Sequence, residues 1–225
     1  MKNIRFIVSL FLSLIIISGC STNEDTISNN DSIPKTFEVV NNDEIIATVN
    51  EEEIKGKELN KLFTLLKFDV KEPEEVSNAE KKYVANILIK NKYILQKAEK
   101  KDYQISSSEI EENLIELKSN YNTEEDFVNS LKDLNMTVQD VEEQIKESLL
   151  YEKYVNQEIK IEEVDESDLK EEYSIMERMS KEREIPSFNE LRDFIKEELE
   201  EKLRDDEINK IIDKLIEEEK IVIFL

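Results

Sequence analysis

The stretch Ile45-Ile46-Ala47-Thr48-Val49-Asn50 is short, apolar and rich in β-branched side chains, as a β-strand is expected to be. The final segment, Lys220-Ile221-Val222-Ile223-Phe224-Leu225, has the same character. A strand must satisfy its backbone hydrogen bonds, so each of these segments needs a partner. We therefore predict a two-stranded sheet that pairs residues 45–49 with 221–225 and brings the two ends of the folded region together.

The composition predicts that helices fill the rest of the folded region. The 225 residues include two glycines and three prolines, too few turn-forming residues for an all-β fold, and 38% of them are charged. A serine or threonine followed three residues later by a carboxylate is typical of a helix start. Five such starts occur: Ser77 to Glu80, Ser106 to Glu109, Thr123 to Asp126, Thr137 to Asp140 and Ser187 to Glu190. The predicted fold class is mostly α with a small sheet.

The first twenty residues indicate where the protein is located. Lys2 and Arg5 precede an apolar run, Phe6 to Ile17, that is shorter than the roughly 20 residues of a spanning helix. The run ends at Ile17-Ser18-Gly19-Cys20, which resembles the lipobox of bacterial lipoproteins. The resemblance implies cleavage of a signal peptide after Gly19 and attachment of lipid to Cys20. The alternative is an ordinary secretory signal followed by an incidental thiol.

We favour lipidation because Cys20 is the only cysteine, and an unpaired exposed thiol is a liability in a secreted protein. Two or three acyl chains, palmitate among them, would hold the protein stably on the outer face of the cell membrane. The predicted organisation is a signal peptide over 1–19, a lipidated cysteine and flexible polar tether over 20–43, and one folded domain over 44–225. The abundance of Ile, Lys, Asn and Glu favours a Gram-positive host.

Several segments of the folded region read as motifs of one family. They are Ala47-Thr48-Val49-Asn50 with Ile54 and Leu59, the helix Leu88 to Ala98, Phe127 to Leu131 followed by Met136-Thr137, and the closing Phe188 to Leu191 with Lys220 to Ile223. In this order they resemble the N-terminal chaperone domain of the SurA and PrsA family, over about 45 to 225. The resemblance implies an extracytoplasmic chaperone that cradles unfolded secreted or outer-membrane proteins.

The chain departs from that family at three places. Glu51 and Lys55 stand where relatives often have a glycine and a serine or threonine cap, with Gly56 as an alternative cap. Many relatives also carry a parvulin prolyl-isomerase domain before the closing helix. Here only residues 174–187 lie between Tyr173 and Phe188, so such a domain does not fit.

The residue types also argue against catalysis and cofactors. The chain has no histidine, which excludes Ser-His, Cys-His and histidine-based acid–base arrangements and Cys/His zinc sites. The acidic runs at 51–53, 197–201 and 217–219 lack the glycine of an EF-hand loop and read as solvated faces. We therefore expect no catalytic residue, no metal site and no cofactor. A net charge of −23 disfavours nucleic acid and favours basic or neutral partners.

Several large side chains are candidates for contacts with client proteins. Most occur at helical-core spacing, which favours packing, whereas residues 174–186 are expected to form an exposed helix or loop. No client-binding residue is predicted among the candidates: Phe63, Phe68, Tyr103, Tyr121, Phe127, Tyr151, Tyr154, Tyr173, Met176 and Met179.

The preferred functional hypothesis is a membrane-tethered holdase for unfolded secreted or envelope proteins, with no prolyl-isomerase or other enzymatic activity. Two alternatives remain open. One is a lipoprotein that docks one specific folded partner, and the other is a degenerate PrsA-like foldase.

Overall fold

The computed structural model describes residues 38–66, 76–134, 136–180 and 185–225. The predicted signal peptide, Gly19, Cys20 and Phe68 lie outside these residues, so the structure leaves the predictions made for them open. The described residues form a mostly helical fold with a small antiparallel sheet, which confirms the predicted fold class. The elements are β1 (Ile45–Val49), β2 (Glu52–Lys55), α1 (Gly56–Leu66), α2 (Asn78–Lys100), α3 (Ser107–Lys118), α4 (Glu124–Asp133), α5 (Val138–Glu158), α6 (Glu166–Met179), α7 (Phe188–Glu217) and β3 (Ile221–Ile223).

The chain divides into two compact units, which we call unit 1 and unit 2. Of the described residues, unit 1 comprises those up to Tyr154 together with Glu219–Leu225, and unit 2 comprises those within Val155–Glu218. The boundary falls within α5, so this helix contributes residues to both units.

The sheet of unit 1 joins the two ends of the folded region, as predicted. Strand β1 is central and pairs antiparallel with β3, with Val49 opposite Ile221 and Ala47 opposite Ile223. The Phe224 N–H continues the ladder by donating to the Ile46 carbonyl oxygen at 2.9 Å. Ile221 is buried and Val222 is exposed, which follows from the alternation of side chains along a strand.

A third strand corrects the predicted two-stranded sheet. Strand β2 pairs antiparallel with β1 on the side opposite β3, giving the order β2-β1-β3. The connecting residues Asn50 and Glu51 have φ angles of 48° and 71°, the left-handed conformation that a two-residue type I′ turn requires. Glycine adopts this conformation most easily, and Glu51 stands where relatives often have a glycine.

A distant side chain compensates for the missing glycine. Gln96 of α2 is buried against the hairpin, where its Nε2 donates to the Val49 carbonyl oxygen at 3.0 Å. Its Oε1 accepts a hydrogen bond from the Asn50 side-chain amide at 2.8 Å. These bonds attach the turn to α2 and hold it in place.

The predicted helix starts are confirmed where their hydrogen bonds are observed. Ser77 and Ser106 each form a capping box with the glutamate three residues on, and Thr123 accepts the N–H of Asp126. The Thr137 N–H likewise donates to the Asp140 carboxylate at 2.7 Å. The same pattern occurs at the start of α7, where the Ser187 N–H donates to Glu190 at 2.9 Å.

The N-terminal part of the described chain is bound to α1 through Asn60. The buried Asn60 side chain accepts the N–H of Val39 at 2.8 Å and donates to the Val40 carbonyl oxygen at 2.7 Å. A Cβ at Gly56 would lie 2.0 Å from the Asn41 carbonyl oxygen, so only glycine permits this close approach. Residues 38–43, which were predicted to be part of the tether, therefore pack against α1.

Gly56 has a different role from the cap expected for it. It is the first residue of α1, and its N–H donates to the Glu44 carbonyl oxygen at 2.8 Å. Glu58 reaches back to accept the Lys55 N–H at 2.7 Å, which satisfies one of the amides at the start of the helix.

Unit 1 has an apolar cluster where α3, α4 and α5 meet. Its buried members are Leu114, Leu117, Phe127, Leu131, Met136, Val141, Ile145 and Leu149. Tyr121 meets the Phe127 ring edge-on with the centroids 5.3 Å apart. This packing holds the first half of α5 against α3 and α4. It therefore also positions the other side of α5, where Gln144, Glu147 and Ser148 line a groove.

Unit 2 is held by a smaller cluster. Val164, Leu169 and Ile195 are buried, with Tyr173 and Met176 packed against them. An exposed helix or loop was expected over residues 174–186. Residues 174–179 belong to helix α6, and Met179 at the end of this helix is 74% exposed. Asp165 caps the start of α6, since its carboxylate accepts the N–H groups of Ser167 and Asp168; this helix start was not predicted from the sequence.

Candidate functional site

A groove of about 280 Å³ lies in unit 1 between α1, α2 and α5. Its lining combines apolar and polar side chains. The apolar residues are Leu62, Leu65, Leu88, Leu95 and Tyr151, and the polar residues are Glu58, Lys61, Asn91, Lys92, Gln144, Glu147 and Ser148. An apolar concavity with a few polar groups around it is the usual form of a binding site.

The groove exists because the apolar stripe of α2 is wider than the surface packed against it. Val84, Ile89 and Ile94 of this helix are fully buried. Leu88 and Leu95 belong to the same stripe but are only half-buried, and both line the groove. Apolar side chains left partly exposed in a concave site favour the binding of an apolar ligand, since binding removes their surface from water.

Charged side chains of both signs surround this apolar floor. Lys92 is already engaged, since its Nζ lies 3.6 Å from Glu52 Oε2. Glu147, on α5, makes no hydrogen bond or ion pair with another residue in the described ranges. It is also the charged group of the groove whose pKa is shifted.

Desolvation is the main cause that raises the pKa of the Glu147 carboxyl group. Lys61 and Lys92 lower the pKa, while Glu143 and Glu58 raise it further. The residue as a whole is exposed, yet the carboxyl group stands in a concavity, where surrounding protein displaces part of its hydration shell. The cationic neighbours therefore do not compensate fully for the lost hydration.

The groove contains no histidine, because the chain has none. Across the described parts of the chain, no group of three or more acidic or other metal-binding side chains is placed to hold a metal ion. The same residues include no helix of the length and apolarity that crossing a membrane requires.

The side chains considered as candidates for client contacts differ in their position in the structure. Phe63, Phe127 and Tyr154 are buried, which confirms the packing role favoured for them. Tyr151 lines the groove, and Met179 is exposed on unit 2.

The groove residues were not predicted as a site. The available signal was the breadth of the apolar stripe on α2, which includes Leu88 and Leu95 as well as the buried positions. A stripe of this breadth indicates excess apolar surface but does not reveal which part of it stays uncovered.

A comparison with protein families matches residues 2–155 to the family described as SurA-like N-terminal domain. No curated protein and no solved structure matches the chain. The family match includes α1, α2 and nearly all of α5, the three helices that form the groove, and it ends at the boundary between the units. Because the match covers more than half of the chain, the protein belongs to the family of SurA-like N-terminal domains.

Proposed function

We propose that this protein is a membrane-anchored extracytoplasmic holdase that binds unfolded secreted or envelope proteins in the groove between α1, α2 and α5. The observation that carries the proposal is the apolar floor of this groove, which unit 1 leaves uncovered. Membership of the family supports it, because SurA-like domains bind unfolded proteins in general.

The groove suits clients without a fixed structure. Its floor is made of leucines and one tyrosine, which contact apolar side chains without requiring a particular arrangement of hydrogen bonds. Its volume of about 280 Å³ is small, so it would take a short apolar segment of a client and not a folded domain.

The proposed location rests on the sequence of the first twenty residues. Lipid on Cys20 would hold unit 1 near the outer face of the cell membrane, where exported chains emerge unfolded. Labelled palmitate should be incorporated into the wild-type protein and not into Cys20→Ala, and the variant should leave the membrane fraction. Incorporation that persists in Cys20→Ala would exclude this anchor.

A groove variant tests the holdase activity. We expect the mature protein, carrying Cys20→Ser, to suppress aggregation of several unrelated unfolded proteins at stoichiometric amounts. Leu88→Asp places a charge on the apolar floor and should weaken suppression strongly. Asn86→Asp is the matched control, since it adds the same charge at an exposed position of α2 that does not line the groove.

Equal suppression by both variants would show that the groove is not the client site. Circular dichroism must first show that both variants fold. Proteins captured from membranes provide a second test, because a mixture of exported proteins supports a holdase, whereas one stoichiometric folded partner favours the docking subunit. Turnover of a proline peptide would favour the foldase alternative and contradict the proposed lack of isomerase activity.

A further inference from the structure

We propose that Glu147 makes the groove selective for apolar client segments that also carry a basic side chain, lysine or arginine. This inference rests on the proposed function, because it assigns the substrate class of the same groove. It follows from the position of one carboxylate and from the charges that face it.

The groups facing Glu147 come from all three helices of the groove. Helix α1 contributes Glu58 and Lys61, α2 contributes Lys92, and α5 contributes Glu143 one turn earlier. Lys92 is shared with Glu52 through the 3.6 Å contact, so only part of its charge is available to the groove. Two lysines and four carboxylates, Glu52, Glu58, Glu143 and Glu147, therefore stand within the groove and beside it.

The position of Glu147 explains why a client cation would be preferred. The carboxylate has no direct partner in the described structure, and it already stands where hydration is reduced. An apolar segment that enters the groove removes more water from this group, which is unfavourable unless an opposite charge arrives with the segment. A lysine or arginine of the client supplies that charge, and its aliphatic stem packs on the leucines.

The charge of the whole protein favours the same ligand. A net charge of −23 produces a negative potential that attracts basic segments and repels acidic ones. Two copies of this chain repel each other for the same reason, which argues for a client segment as the occupant of the groove. The raised pKa of Glu147 is consistent with a carboxylate that lacks sufficient cationic neighbours.

The test uses three fluorescent peptides of one apolar sequence, with lysine, norleucine or glutamate at the central position. Binding to the mature protein with Cys20→Ser is measured by anisotropy at low and high salt. We expect the lysine peptide to bind about threefold to tenfold more tightly than the norleucine peptide at low salt. Glu147→Gln should abolish this preference, so that the lysine and norleucine peptides bind to the variant with equal affinity.

Glu142→Gln is the matched control, since it removes the same charge from an exposed position on α5 that does not line the groove. It should keep the lysine preference. A preference that survives in Glu147→Gln, or that disappears equally in both variants, would overturn the assignment to Glu147.

Failure of this inference can be told apart from failure of the proposed function. Equal binding of all three peptides to the wild-type protein, with weaker binding to Leu88→Asp, would refute the charge preference and leave the groove as the client site. Absence of any binding, together with unsuppressed aggregation, would refute both.

Discussion

Replacement of Ile221 by alanine tests whether the closing strand is structural. Ile221 is 1% exposed and lies opposite the buried Val49 in the pairing of β3 with β1. Large-to-small substitutions of buried isoleucine cost about 2–5 kcal/mol, through lost transfer free energy and the cavity left behind. That cost is a large part of a total stability of about 5–15 kcal/mol. At about 2–4 °C per kcal/mol, the melting temperature should fall by about 4–20 °C.

The neighbouring residue supplies the control. Val222 is 39% exposed, so Val222→Ala removes a similar side chain from the same strand while creating little cavity, and should cost less than about 1 kcal/mol. Urea unfolding followed by circular dichroism gives the two free energies. Hydrogen exchange of the β1 amides reports unit 1 specifically, which matters because the two units need not unfold together.

Two outcomes would contradict this reasoning. One is an Ile221→Ala variant whose stability lies within about 0.5 kcal/mol of Val222→Ala. The other is a loss of stability without faster exchange in β1. Either result would show that the closing strand does not depend on the burial of Ile221.

Deletion of residues 221–225 should destabilise unit 1 more than Ile221→Ala, as thermal melting would show, while incorporation of labelled palmitate stays unchanged. Asn60→Ala leaves the Val39 N–H without its acceptor, which costs about 1–3 kcal/mol and should expose residues 38–44 to limited proteolysis. Gln96→Leu should speed hydrogen exchange in the β1–β2 turn without unfolding α2. Unchanged exchange would show that the turn is stable without the hydrogen bonds of Gln96. Glu109→Gln should lower the melting temperature at pH 7, and the difference should disappear on acidification.

The sign of this last pH effect follows from the capping box. Hydrogen bonds from Ser106 lower the pKa of Glu109 below its ordinary value of 4.5. The charged carboxylate therefore contributes stability above pH 4.5, and this contribution is lost as the pH falls through the lower pKa of the folded state. If the melting temperatures of the wild-type protein and Glu109→Gln still differ at acidic pH, the charge of Glu109 is not the cause of the stabilisation.

Reduced hydration of its carboxyl group gives Glu147 the opposite dependence. Its pKa is raised, so its contribution to stability is present below its unfolded pKa and is lost as the pH rises through the higher folded value. Glu147→Gln should therefore be at least as stable as the wild-type protein at pH 7. Such a result would fit a side chain that serves binding and not folding.

The sequence by itself determined the features whose causes are local. A capping box needs a serine and a glutamate three residues apart, so Ser77 and Ser106 marked the starts of α2 and α3 correctly. The pairing of the β-branched run of β1 with the similar run at the chain's end could be predicted, because few other segments had strand character. The family's chaperone character was also visible in short motifs spread over the chain.

The tertiary structure decided the features that depend on distant residues. The β1–β2 turn relies on Gln96, which is 46 residues from Asn50, and the packing of residues 38–43 relies on Asn60. The groove depends on how much of the apolar stripe of α2 is covered by α1 and α5. Coverage is a property of packed helices and not of one helix, so Leu88 and Glu147 could be recognised as site residues only after the three helices were assembled.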